Sequence, residues 1–157
     1  MLAGMSTTRI ATHIEAPPMK VYAALLDGDA VARWMVPDGM TSHVHAFDGT
    51  EGGRFRISLT YDPGQGGAGK TTTETDTFGG RFVKLVPGEL VVQEVEFETD
   101  DPSLRGVMTI TFALHEADGG TDLVASHTGL PPGVRPEDNE IGWRMSLDKL
   151  AALVAGG

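Results

Sequence analysis

Residues 130–157, LPPGVRPEDNEIGWRMSLDKLAALVAGG, decide the fold, because the periodicity of the chain changes there. Leu130-Pro131-Pro132-Gly133 is a rigid linker. From Pro136 onward Trp143, Leu147, Leu150 and Val154 fall on one helical stripe, with Ile141 and Leu153 beside it. Glu137, Asp138 and Glu140 occupy the first turns, where negative charge suits the helix dipole. A long terminal helix with one apolar stripe needs a partner surface, and the residues before it supply one.

Working outward, residues 40–127 alternate with the period of strands. Thr41, His43, His45 and Phe47 alternate with Ser42, Val44 and Ala46. Phe55, Ile57, Leu59 and Tyr61 form one face of the next strand, and Arg54, Arg56, Ser58 and Thr60 the other. Residues 71–85, 90–98, 107–116 and 121–128 continue the pattern, broken at Pro87-Gly88, at Thr99-Asp100-Asp101-Pro102 and at Ala117-Asp118-Gly119-Gly120. Residues 9–15 form an earlier strand, and Ala16-Pro17-Pro18 stops it. Two short helices follow, one carrying Val21, Tyr22, Leu25 and Leu26, the other spanning residues 30–35 with Val31, Trp34 and Met35. Connections this short join antiparallel strands, so the fold class is α+β, with a terminal helix covering one face of an antiparallel sheet. The expected organisation is one domain over residues 9–157 with a flexible N-terminus at 1–8.

Composition narrows the function. The chain has 157 residues, no cysteine and a net charge of −10, with 21 glycines and 9 prolines consistent with many turns. Without cysteine there is no disulfide, thiolate metal site or thiol nucleophile, which fits a cytoplasmic location. The 12 basic residues form no stripe, so nucleic acid and an anionic membrane are not expected partners. No apolar run is long enough to span a bilayer. The N-terminus does not read as a signal peptide, and Met5 offers a second start.

Certain local motifs recur in a telling order. Ala16-Pro17-Pro18 precedes Val21-Tyr22-Ala23-Ala24-Leu25. Arg33-Trp34-Met35 and Gly52-Gly53-Arg54-Phe55-Arg56 follow, then GRFVKLVPGEL at 80–90, Gly120-Thr121-Asp122-Leu123, and Gly142-Trp143 with residues 147–153. Together they resemble the START-like, or SRPBCC, superfamily, in its polyketide-cyclase-like branch named after the activator of the heat-shock-protein-90 ATPase. That resemblance implies a helix-grip: a curved antiparallel sheet wrapped around the C-terminal helix, with a deep cavity between them. The family holds ligand carriers, cyclases and stress proteins.

The expected ligand is a small apolar or aromatic molecule. Its expected lining is Phe55, Ile57, Tyr61, Phe97, Met108, Ile110 and Phe112 from strand faces turned inward. Trp34, Met35 and Trp143, at helix ends, would guard the entrance. His43, His45 and His127 are the polar groups expected at the cavity. His43 and His45 are two residues apart on one strand face, but no third ligand stands at a metal-site spacing, so no metal and no cofactor are expected. His127 ends the last strand and Glu140 opens the long helix, so a general base oriented by a carboxylate is the catalytic expectation. Arg54 and Arg56 are expected to face solvent and pair with carboxylates of a neighbouring strand, and the Glu94, Glu96, Glu98 run to be a solvated strand face. Residues 64–71, GQGGAGKT, complete a phosphate-loop pattern. They lack the parallel strand before and the helix after, so a hairpin connection is expected there. Three functions remain open: a ligand-binding protein, a cyclase, dehydratase or hydrolase using acid–base residues, and a co-chaperone-like interaction module. A homodimer is compatible with each.

Overall fold

The computed structural model describes residues 6–63 and 74–155. The phosphate-loop pattern therefore lies outside the described residues, as does most of the expected flexible N-terminus. β1 (Ser6–Ile14) is followed by α1 (Pro18–Leu25) and α2 (Gly28–Trp34). Then come β2 (Met40–Phe47), β3 (Arg54–Tyr61), β4 (Thr75–Val86), β5 (Leu90–Phe97), β6 (Met108–Ala117) and β7 (Gly120–Leu130), and finally α3 (Pro136–Ala155). The seven strands form one antiparallel sheet in the order β1-β7-β6-β5-β4-β3-β2. β1 thus joins the last strand, and the remaining strands meander away from it.

Among the boundaries that differ from the sequence expectation, β4 starts at Thr75, β7 runs on to Leu130, and two lie early in the chain. β1 starts at Ser6, so residues 6–8 belong to the sheet, with Thr8 opposite His127. α2 starts at Gly28, because Asp27 caps it by accepting a hydrogen bond from the Asp29 N–H at 3.0 Å. An aspartate at that position satisfies a free helix N–H, so a stretch that reads as a turn begins a helix. The β6–β7 hairpin behaves as read. Asp118 and Gly119 have φ of 51° and 78°, the positive values a primed two-residue turn needs.

α3 lies on the concave face of the sheet, with its close backbone approaches to β1, α1 and α2. It presses Leu147, Leu150 and Val154 into the core. At the far end of the sheet the inner face fills itself. Phe47, Phe55 and Phe82 form a ring cluster with centroids 5.3–6.1 Å apart. Gly80 makes room for it: a Cβ there would collide with the Glu94 carbonyl oxygen and sit 2.8 Å from the Phe55 ring. Gly80→Ala should lower stability by about 2 kcal/mol, read by urea unfolding, because neither the β5 backbone nor the ring cluster can yield cheaply. An unchanged midpoint would show that they can.

The outer face is polar. Arg56 grips Glu98 with two bonds of 2.6 and 2.9 Å, and Arg81 meets Glu94 at 3.0 Å. Arg56 thus pairs with a carboxylate as expected, but with one just past β5 and not on an adjacent strand, while Glu94 of β5 serves Arg81 of the adjacent β4. No helix among the described residues is long and apolar enough to cross a membrane.

Candidate functional site

Because α3 sits toward the β1 side, it leaves an open cleft of about 730 Å³ between its first half and the middle strands. The walls are Leu59 and Tyr61 of β3, Phe78 of β4, Val95 and Phe97 of β5, and Met108 and Ile110 of β6. Met35, Trp143 and Met145 close it from the helical side. Three ties hold the rim. Lys149 Nζ donates to the Val36 carbonyl at 2.6 Å and meets Asp38 at 3.0 Å, clipping the α2–β2 link onto α3. The Gly133 N–H donates to the Ser103 carbonyl at 2.6 Å, joining the β7–α3 linker to a 3₁₀ turn at Pro102–Leu104. Asp101 caps that turn, accepting from the Ser103 N–H and hydroxyl at 2.9 and 2.8 Å, and these bonds lower its pKa.

His127 is the one histidine in the lining. Its side chain projects from β7, and the residue is 1% exposed. Asn139, on the first turn of α3, places Nδ2 3.1 Å from His127 Nδ1 and 3.2 Å from Thr8 Oγ1. Its NH₂ therefore donates to both, the imidazole accepts at Nδ1, and the ring proton resides on Nε2. Nε2 is buried and has no partner among the described residues. The ring packs edge-to-face on Trp143 with centroids 4.6 Å apart. Burial lowers the His127 pKa to about 4, so it is neutral at pH 7.

The sequence expectations divide. Met35, Tyr61, Phe97, Met108, Ile110, Trp143 and His127 lie in the lining of the cleft. Phe55, Ile57 and Phe112 do face inward, but they are buried in the solid core and not in the lining. Trp34 is also core, fully buried with its Nε1 donating to the Ala24 carbonyl at 3.0 Å. His43 and His45 are on the outer face, exposed, with rings 4.5 Å apart. The register of β2 slips between Val44 and Ala46, a bulge that leaves His45 outside the pairing and returns Phe47 to the inner face. His45 Nε2 instead meets Ser58 Oγ at 2.7 Å, and burial, then the charge of Arg56, lowers its pKa. Among the described residues no third metal-ligating side chain joins the two histidines. Glu140 does not orient His127: it accepts from Arg144 at 2.9 Å, one turn along the helix, and its side chain is 43% exposed.

Several lining residues went unread in the sequence, Leu59, Phe78, Val95 and Met145 among the apolar ones and Asn139 and Asp76 among the polar ones. Asn139 lies four residues before Trp143 and so extends the stripe of Trp143, Leu147, Leu150 and Val154. Asp76 alternates with Phe78 and Phe82 and reaches the lining as a buried carboxylate.

A curved seven-stranded antiparallel sheet holding a C-terminal helix defines the helix-grip class of α+β proteins. Residues 15–155 match the family described as "Activator of Hsp90 ATPase homolog 1-like protein", and the chain belongs to that family. No curated protein matches the chain at a significant level. A solved protein of Chromobacterium violaceum is 35% identical, with a TM-score of 0.84 and coverage of 94% of this chain and 96% of that one. A Rhodobacter sphaeroides protein is 19% identical, with a TM-score of 0.74 and coverage of 96% and 93%. The structure titled as the Aha1 dimer from Colwellia psychrerythraea is 18% identical, with a TM-score of 0.64 and coverage of 95% and 96%. The last two likenesses speak to the fold alone.

Proposed function

We propose that this protein binds a small apolar or aromatic molecule in the cleft between α3 and the middle strands. The supporting observation is the cleft itself: about 730 Å³, walled by Tyr61, Phe97, Met108, Ile110 and Trp143, with a buried imidazole in its lining. That volume lies in the ordinary range of small-molecule sites, and apolar walls with few polar groups are their common form. An acid–base role for His127 fits the geometry less well. Nδ1 is occupied by Asn139, Nε2 carries the proton, and a pKa of about 4 makes a weak base. An interaction module would want a contiguous apolar surface; among the described residues the exposed large apolar side chains are Met19 of α1, Val83 of β4, Val107 before β6 and Ile141 of α3. Cytoplasmic residence and pairing with a second copy remain part of the proposal. The Colwellia neighbour is titled a dimer, and sedimentation of this chain tests the same state here.

The test is titration with prodan, an uncharged naphthyl ketone whose emission shifts to the blue in apolar surroundings. One equivalent should bind with a blue shift. Met108→Trp, which pushes an indole into the cleft, should weaken binding at least about tenfold while leaving the melting temperature within a few degrees. Absence of binding by the unaltered protein, or equal binding by the variant, would remove the cleft as a ligand site.

A further inference from the structure

We infer that the bound molecule carries an oxygen acceptor, a carbonyl or an equivalent anionic oxygen, and that His127 Nε2–H donates to it. This deepens the ligand-binding proposal and rests on the cleft being the site. A buried donor left without a partner costs about 1–3 kcal/mol, so a folded protein retains one where something arrives to accept. His127 meets that description: it lines the cleft, and its Nε2 is buried and has no partner among the described residues. The tautomer is set by a neighbour in the cleft wall. Asn139 Nδ2 donates to Nδ1 and is itself held by Thr8 Oγ1 on β1, so α3 and β1 together direct the proton toward Nε2. Trp143 packs edge-on against the ring and fixes its plane. Neutral and donating, His127 favours acceptor oxygens and offers nothing to an ammonium or amide N–H. Asn139 is accordingly a positioning residue.

Two probes separate the possibilities: prodan, and its analogue with the propionyl group replaced by propyl, which lacks the carbonyl. Prodan should bind about tenfold more tightly, and His127→Leu should remove that preference while leaving the affinity for the propyl analogue unchanged. Long-range proton–nitrogen NMR should find the His127 proton on Nε2, and Asn139→Leu should redistribute it between the two nitrogens. Binding of both probes with equal affinity, or a preference that survives His127→Leu, would assign the donor to water and overturn the inference while the cleft stands. A proton found on Nδ1 would overturn it even if the His127 variant does not fold. If neither probe binds, the cleft fails as a ligand site and the inference fails with it.

Discussion

Replacing Trp34 by alanine should lower the unfolding free energy by about 4 kcal/mol, the cost of emptying a buried aromatic site. Trp34 has 0% exposure and stands where three elements meet. Its Nε1–H donates to the Ala24 carbonyl near the end of α1, a group that would otherwise be left over at the helix terminus. Its ring meets the edges of Phe112 on β6 at 6.4 Å and Trp143 on α3 at 6.2 Å. One side chain thus ties both short helices to the sheet and to the long helix, and the substitution removes packing and strands a carbonyl together. Urea unfolding measures the loss. Because Trp34 does not line the cleft, the remaining folded protein should keep its affinity for prodan. A loss under about 1 kcal/mol, or a collapse of binding in protein that stays folded, would contradict this division between scaffold and wall.

Local pattern and covalent chemistry made the elements legible, while the division of the inner face into core and cleft was not. Alternation correctly turns Phe55, Ile57, Phe97, Met108, Ile110 and Phe112 toward the concave side. It cannot say which of them another part of the chain covers. Phe55 and Ile57 are sealed within the core, Phe55 against Phe47 and Phe82, and Phe112 by Trp34 and Trp143, so of these six residues Phe97, Met108 and Ile110 border the cleft. These are contacts between residues far apart in sequence, and period-two reading carries no information about them. The β2 histidines fail for a different reason. A single bulge shifts the face of everything beyond it, and nothing in MTSHVHAF announces one. The partner of His127 was within reach. Asn139 continues the apolar stripe of α3 four residues ahead of Trp143, whereas Glu140 is one residue, about 100° of helical rotation, out of line and finds Arg144 instead.

Acidification exposes the same histidine as a stability switch. In the folded chain the His127 pKa is about 4, lowered by burial alone, against an ordinary value of 6.5. Below 6.5 the unfolded chain takes up a proton that the folded chain refuses. Stability is therefore intact above pH 6.5 and is lost as pH falls toward 4, by about 3 kcal/mol in full. The other displaced groups leave most of that window clear. His13 is raised, chiefly by its hydrogen bond to Asp122, so it acts in the opposite direction as pH falls through 6.5, and equally in the unaltered protein and in a His127 variant. Glu98 is lowered by its bond to Arg56 and Asp101 by its bonds to Ser103, and they begin to cost stability only near their ordinary values of 4.5 and 3.8. His45 is lowered too and acts in the same direction, so the comparison must be made against a variant. Urea unfolding from about pH 7 to about pH 4.5 should show the unaltered protein losing roughly 2.5 kcal/mol more than His127→Leu. Parallel pH curves for the two proteins would mean that the imidazole is hydrated or charged within the fold. A ring in that state could not present the uncharged, unpartnered N–H on which recognition of an acceptor oxygen depends.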